Sequence, residues 1–260
     1  MPGFLQRIFR RAPAPEALAA PLWEAVEAAQ PWLSRLTPAE RARLRELALA
    51  FLDQKVFSGA NGFEPDNTVR LSIALQACLP VLELGLEAYA GWRGIIVYAG
   101  DFMIPRRVVD DDGVLHEYDE EALGEAWHGG PVVLSWFDDA RELEGIQVVI
   151  HEFAHKLDML NGEADGLPPL HAGMSEEAWC AAFDAAFDDL CARDDAGLDT
   201  ALDPYAAEHP AEFFAVASES FFTEPDVLAQ AYPAVYRQLV LFYRIDLRDH
   251  DRGRAFHTKI

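Results

Sequence analysis

The sequence predicts an α+β fold that is mostly helical and contains one small mixed sheet. Most segments before residue 90 and after residue 145 carry apolar residues at helical spacing, and several of them start with a capping residue or a proline. Short runs rich in β-branched residues occur instead between residues 94 and 145. Hydrophobic residues make up 51% of the 260 positions, which is enough to build a sizeable core.

The first part of the chain is predicted to be helical. Residues 21–36 have the spacing of an amphipathic helix. Thr37, Pro38 and Glu40 form a capping-box pattern with proline at the first helical position, so a second helix is expected to start there. A mostly apolar helix is predicted for residues 69–87, with a kink or break at Pro80. We expect these helices to support a functional site and to contain none of it.

The sheet is predicted from three short segments. Residues 95–98 read as one strand, and residues 108–109 as another that ends in a turn at 110–113. Residues 131–136 have the clearest strand pattern, because a run of Val, Val and Leu follows two glycines. This last strand directly precedes the segment with the strongest functional signal.

That segment contains His151-Glu152-Phe153-Ala154-His155, an H-E-x-x-H pattern. Side chains four residues apart lie on one face of a helix, so both imidazoles can reach one metal ion. Glu152 lies one step around the helix, where its carboxylate can take a proton from water, as in zinc hydrolases. The alternative is a surface helix with two solvated histidines. The apolar residues Val148, Val149, Ile150 and Leu157 favour a core helix instead, where unpartnered imidazoles are costly.

A zinc site of this kind needs a third protein ligand, and Glu212 is the best-placed candidate. Residues 205–222 are predicted to contain a second helix, with Pro210 at its first position. Glu212 then falls in the first turn, where the positive end of the helix dipole favours a carboxylate. An acidic residue in a first turn can also serve only as a capping aid.

The two segments together resemble the Mlc titration factor A family of bacterial zinc-dependent peptidases. The resemblance extends to Leu75–Leu79, Gly91–Arg93 with Val97-Tyr98, and Gly130–Trp136. The spacing from tyrosine to glutamate is also similar to that of the anthrax lethal factor catalytic domain, a distant zincin. The resemblance implies a zincin-like metallopeptidase fold that holds one Zn²⁺ per chain. It implies the following roles: zinc ligands His151, His155 and Glu212, general base Glu152, and oxyanion stabiliser Tyr205.

The resemblance also implies a function and a partner. The family is associated with aminopeptidase-like activity on peptides, and it is named for titrating the glucose-responsive repressor Mlc. We therefore expect a cytoplasmic zinc peptidase, with a Mlc-like repressor as a second partner and a link to glucose phosphotransferase regulation. The alternative is a non-catalytic or latent binding protein that sequesters a regulatory partner. An intact Glu152 favours retained hydrolysis.

Four further expectations concern residues in and around the site. In zincins the edge strand before the metal helix pairs with an extended substrate, so residues 132–136 are expected to line the cleft unless they form an internal strand. Asp158 could accept a hydrogen bond from a ligating imidazole, replace Glu212 as a ligand, or be a plain helix-end carboxylate. Glu219 could orient a histidine, bind a substrate amine, or be solvated. Tyr205 could also be only a core aromatic.

Charge and length restrict the remaining classes. The formal net charge of -23 disfavours direct binding of nucleic acid or an anionic membrane, since both require basic surfaces. No apolar run reaches the ~18 residues of a membrane span. We expect a loose segment at residues 1–14, a single zincin-like domain at 15–250 and a loose tail at 251–260. Within the domain, residues 15–90 are expected to be helical support and 91–250 the catalytic part.

Overall fold

The computed structural model describes residues 18–109, 115–137 and 147–248, with the backbone alone for residues 104–109 and 115–121. The helices and strands follow in chain order: α1 Ala20–Ala28, α2 Pro38–Gln54, β1 Val56–Gly59, α3 Asn67–Cys78, β2 Gly94–Ala99, β3 Phe102–Val109, β4 Leu115–Ala122, β5 Gly124–Ala126, β6 Val132–Trp136, α4 Val148–Asp158, α5 Glu176–Asp195, α6 Pro210–Thr223, α7 Pro225–Ala231 and α8 Pro233–Tyr243. Short 3-10 turns lie at Pro31–Arg35, Leu86–Tyr89 and Pro204–Ala207.

The main sheet has the strand order β1-β2-β6-β5. The first two pairings, β1 with β2 and β2 with β6, are parallel, whereas β5 and β6 are antiparallel. A separate hairpin is formed by β3 and β4. Helix α4 contacts both β5 and β6. The predicted fold class, α+β and mostly helical with a small mixed sheet beside the H-E-x-x-H helix, is therefore confirmed.

The N-terminal helices follow the sequence signals, with two differences. The capping box is present, because Glu40 N–H donates to Thr37 Oγ1 at 3.3 Å and Thr37 N–H donates to the Glu40 carboxylate at 2.7 Å. The single helix expected over residues 21–36 is wrong. It ends at Ala28, and Pro31 starts a separate 3-10 turn because proline cannot continue an α-helix. The break predicted at Pro80 is present, because α3 ends at Cys78, but the helix does not resume towards residue 87.

The strand order contradicts the expectation that residues 132–136 form the edge strand that binds substrate. Strand β6 lies between β2 and β5, and Val132, Val133, Leu134 and Ser135 are buried, so it is an internal strand and not the edge that a substrate could join. The edge beside α4 is formed by β5, which the sequence did not predict. Strands β1 and β4 were also not predicted. The acidic sequence of β4 (LHEYDEEA) lacks the alternating apolar pattern of a typical strand.

Aromatic packing joins α4 to the N-terminal helices. The Phe153 ring lies 5.0 Å from the Tyr89 ring, 5.6 Å from the Phe51 ring and 5.8 Å from the Trp92 ring, measured between centroids. Phe153 is fully buried, and burying such a side chain contributes about 1.5–3 kcal/mol. Helix α2, the 3-10 turn Leu86–Tyr89 and the loop that follows it therefore pack against α4 through aromatic side chains.

The later helices begin where the sequence indicates. Ser175 caps α5 by accepting from Ala178 N–H, and Pro210 and Pro233 occupy the first turns of α6 and α8. Within the described ranges, no helix is both long enough and apolar enough to cross a membrane. The predicted loose segments 1–14 and 251–260 and the turn at 110–113 lie outside the described residues.

Candidate metal centre

The site is built where α4 and α6 pack against each other. Every residue of α4 is buried, and α6 is buried along nearly its whole length. Phe213 and Phe214 of α6 pack against Phe183 of α5, with ring centroids 5.9 and 6.2 Å apart. The two helices are therefore fixed by apolar contacts on their outer faces, while their shared face carries the polar residues.

The structure brings together the three residues predicted to bind a metal. His151 Nε2 lies 2.9 Å from Glu212 Oε2, His155 Nε2 lies 3.2 Å from the same oxygen, and the two Nε2 atoms are 3.1 Å apart. Tetrahedral zinc with bonds of ~2.0–2.1 Å separates neighbouring ligand atoms by roughly 3.3 Å. The triangle of donor atoms thus has nearly the size that one ion requires.

The protonation of this triangle also favours a cation. His151 Nδ1 lies 2.8 Å from the Glu219 carboxylate, so Nδ1 carries the proton and Nε2 of the neutral ring is an acceptor. That nitrogen faces a carboxylate oxygen and the Nε2 atom of His155. Acceptor atoms that face one another in this way are stabilised by a cation between them. The residues present fit a divalent ion.

Without an ion, the positive charge must come from a proton. Burial by itself lowers the pKa of His151, but the hydrogen bonds to Glu212 and Glu219 outweigh burial and raise the pKa to about 10. Burial has the opposite effect on Glu212, where hydrogen bonds to His151 and His155 hold the pKa well below its usual range. The metal-free site is thus an imidazolium between carboxylates, and a metal ion would replace the proton.

Glu219 connects the start of α4 to the first histidine. Its Oε1 atom is the partner of His151 Nδ1, and its Oε2 atom accepts a 2.7 Å hydrogen bond from Gln147 N–H. Gln147 is the N-cap residue of α4, whose side chain makes no capping bond. Of the roles considered for Glu219, the structure supports the orientation of a histidine. It does not support a solvated carboxylate, since Glu219 is buried.

Glu152 of α4 is buried beside the predicted metal ligands and packs against the first residue of β5. Its carboxylate fills the space beside the Cα atom of Gly124. Burial raises its pKa, although the neighbouring His151 and His155 act in the opposite direction. Among the described residues, Glu152 Oε2 has no hydrogen-bond partner. The arrangement leaves one carboxylate oxygen available to exchange a proton in the site.

Tyr205 lies on the 3-10 turn that leads into α6. Its ring centroid is 6.0 Å from that of His151, and 45% of its surface is exposed. The core-aromatic alternative is therefore wrong, because the ring stands at the rim of the site. Asp203 sets this turn by accepting from Tyr205 N–H at 2.9 Å.

Asp158 lies outside the cluster. It is fully buried, and its Oδ2 atom accepts from Gly166 N–H at 2.8 Å. Burial raises its pKa to about 6. Neither Asp158 Oδ1 nor His155 Nδ1 has a hydrogen-bond partner among the described residues, so the direct bond considered from the sequence is not formed. Asp158 instead joins the end of α4 to the following loop.

Comparison with known proteins shows the family of this chain. The family model described as glucose-regulated metallo-peptidase M90 matches residues 5–244. The chain belongs to this family. The chain is also similar to proteins named Mlc titration factor A from Salmonella gallinarum, Salmonella enteritidis and Salmonella typhi. Each is 40% identical to this chain over 223 residues, covering 83% of either sequence.

Membership of the M90 peptidase family agrees with the fold and the site. The mixed sheet beside α4 and the cluster of His151, His155 and Glu212 fit a zincin-like fold. The chain is thus a metallopeptidase-family protein with a candidate metal-binding group of two histidines and one glutamate. The resemblance to the Mlc titration factor A family, stated from the sequence motifs, is confirmed.

Proposed function

We propose that this chain is a cytoplasmic zinc-dependent peptidase that hydrolyses peptide bonds with Glu152 as the general base. The observation that carries the proposal is the convergence of His151, His155 and Glu212 within 4.8 Å of one another, with the buried Glu152 on the same helix as both histidines. Family membership supports the same reaction class.

The metal would be held by His151 and His155 from α4 and by Glu212 from α6. Zinc bound by two neutral imidazoles and one carboxylate retains positive charge, polarises a carbonyl group and lowers the pKa of water to ~7. The donor set favours zinc over calcium or magnesium, which prefer oxygen ligands. Glu219 would keep the His151 ring in the orientation that presents Nε2 to the ion.

Two side chains would move or hold charge during the reaction. Glu152 would accept a proton from the attacking water and pass it to the leaving amine, and its raised pKa suits both transfers. The Tyr205 hydroxyl would donate a hydrogen bond to the oxyanion that develops on the substrate carbonyl. Its exposed position beside His151 leaves it accessible to a substrate.

The substrate would be an extended peptide lying along β5. In the described sheet β5 is the last strand, next to β6, so an added peptide strand would extend the sheet on this side. Strand β5 starts beside Glu152, which would bring a bound peptide carbonyl close to the base. A preference for the N-terminal peptide bond follows from the resemblance to the Mlc titration factor A family.

The test compares wild type with Glu152→Gln on aminoacyl nitroanilides and on their N-acetylated forms. Glu152→Gln should retain one zinc per chain and lose hydrolysis, because the amide cannot accept the proton. Glu163→Gln, which changes an exposed carboxylate in the loop after α4, is the matched control and should hydrolyse at the wild-type rate. Undiminished hydrolysis by Glu152→Gln would refute the assigned base. Equal rates on acetylated substrates would refute the N-terminal preference.

A second candidate function is sequestration of a regulatory protein. The observation that favours it is the name Mlc titration factor A, carried by relatives that are 40% identical over 83% of the chain. Binding of a Mlc-like repressor by the Glu152→Gln chain, measured by calorimetry, would separate sequestration from catalysis. An absence of binding by both wild type and variant would remove this candidate.

A further inference from the structure

Gly124 and Glu152 occupy the same small volume. A Cβ atom added to Gly124 would lie 2.3 Å from Glu152 Oε1 and 2.6 Å from both Cδ and Cγ, whereas real Cβ contacts essentially never fall below 3.0 Å. The Glu152 side chain therefore fills the space that a side chain at position 124 would need.

The backbone at position 124 does not itself require glycine. Gly124 lies in a regular strand, where it pairs with Leu134, and it is absent from the glycines that have positive φ. An alanine could adopt this strand conformation. Glycine is therefore needed here for the space beside its Cα atom.

Hydrogen bonds on both sides of β5 hold this strand in the sheet and close to α4. Ser135 N–H donates to Leu123 O at 2.7 Å, just before β5. Just after it, the Lys156 ammonium donates to Trp127 O at 2.7 Å and to Gly130 O at 3.1 Å. Lys156 lies one helical turn beyond Glu152 on α4. The helix and the strand are thus held together next to the contact, and an added methyl group would have to displace the Glu152 carboxylate.

We propose that Gly124 is a positioning residue for the general base: its missing side chain creates the space that the Glu152 carboxylate fills beside the histidine pair. This inference rests on the proposed function for its catalytic consequence. The steric contact can be tested separately.

The kinetic test is Gly124→Ala in the zinc-loaded chain. General bases act within hydrogen-bond reach, and a displacement of about 1 Å costs on the order of 100-fold in rate. Gly124→Ala should retain one zinc per chain, lose about 100-fold in kcat and change KM much less. Gly94→Ala, in β2 of the same sheet, is the matched control: its Cβ would meet only Pro131, at 3.1 Å, and its kcat should be unchanged. A wild-type kcat in Gly124→Ala would overturn the proposal.

The steric test measures thermal stability in two backgrounds. Gly124→Ala should lower the Tm of the wild-type chain, and the same substitution should have little effect in a Glu152→Ala background, where the colliding atoms are gone. An equal fall in Tm in both backgrounds would overturn the assigned contact. This readout requires no catalysis. A wild-type chain that hydrolyses no peptide would therefore contradict the proposed function while the stability comparison still tests the contact.

Discussion

Glu219 Oε1 lies 2.8 Å from His151 Nδ1, and the other oxygen of the same carboxylate accepts from the backbone N–H of Gln147. One buried side chain on α6 therefore sets both the ring orientation of a predicted ligand and the start of the helix that carries it. The order of the metal centre depends on this link as well as on the three predicted ligands.

Glu219→Gln should weaken zinc binding by about 10–100-fold, the usual cost of losing an outer partner of a ligating histidine. The amide has one acceptor oxygen, so it cannot replace both carboxylate contacts. Competition with a chromogenic chelator measures the affinity. Glu224→Gln, at the exposed end of α6, is the control and should bind zinc like wild type. Unchanged affinity in Glu219→Gln would show that this carboxylate is not needed to orient His151.

Glu212→Gln should weaken zinc binding by more than the ~10–100-fold expected for an outer contact. The substitution preserves side-chain size but removes the negative charge that faces both imidazoles. Zinc per chain after dialysis, measured by elemental analysis, tests the prediction, and circular dichroism checks that the fold is retained. Full zinc occupancy in this variant would assign the third ligand to another residue.

Zinc binding should release a proton and become tighter as pH rises from 6.5 to 8. In the metal-free chain the pKa of His151 is raised to about 10, so the ring is protonated throughout this range, whereas a ligating imidazole must be neutral. One displaced proton increases apparent affinity about tenfold per pH unit. Calorimetry in two buffers with different ionisation enthalpies counts the released protons. A pH-independent affinity with no proton release would contradict the raised pKa.

The same group makes the metal-free chain sensitive to alkaline pH. Because the folded pKa of His151 lies above its ordinary value of 6.5, its contribution to stability is complete below pH 6.5 and is lost as pH rises towards 10. Tm measured with and without zinc over pH 6–10 should therefore diverge, with the metal-free chain losing more. Parallel curves would contradict this contribution.

Lys156→Met should destabilise the chain by about 1–3 kcal/mol, since Gly130 O loses its ammonium donor and Trp127 O keeps only the backbone N–H of Gly130. Burial lowers the pKa of Lys156 to about 8. Between pH 8 and 10.5, Lys156 binds a proton more often in the unfolded chain than in the folded chain. The free energy of unfolding therefore increases with pH over this range. Chemical unfolding at pH 7 and pH 9.5 tests both statements. A variant as stable as wild type at both pH values would exclude the anchoring role of Lys156.

The sequence predicted the parts of the fold that depend on local signals. The capping box at Thr37, the helix start at Pro210 and the H-E-x-x-H helix all follow from short patterns whose physical basis lies within a few residues. The end of α3 before Pro80 likewise follows from the missing N–H and the rigid ring of proline.

What could not be predicted depends on pairing between distant residues. The positions of β5 and β6 in the sheet are the clearest case. Residues 132–136 have the stronger strand pattern because their side chains are mostly apolar, and apolar side chains favour the buried interior of the sheet over its edge. The edge strand Gly124–Ala126 is only three residues long and carries no periodic signal. The contacts of Gly124 with Glu152 and of Glu219 with His151 also join residues that are far apart in the sequence. Of these, only Glu219 had a local signal, because it lies seven residues after Glu212 on the same helix.

Anomalous diffraction at the zinc absorption edge, from crystals of the reconstituted chain, shows whether His151, His155 and Glu212 share one zinc ion. We predict one strong peak per chain, about 2.0–2.2 Å from His151 Nε2, His155 Nε2 and a carboxylate oxygen of Glu212. A chain that takes up no zinc, or a peak that does not contact all three of these residues, would show that they do not form the metal site.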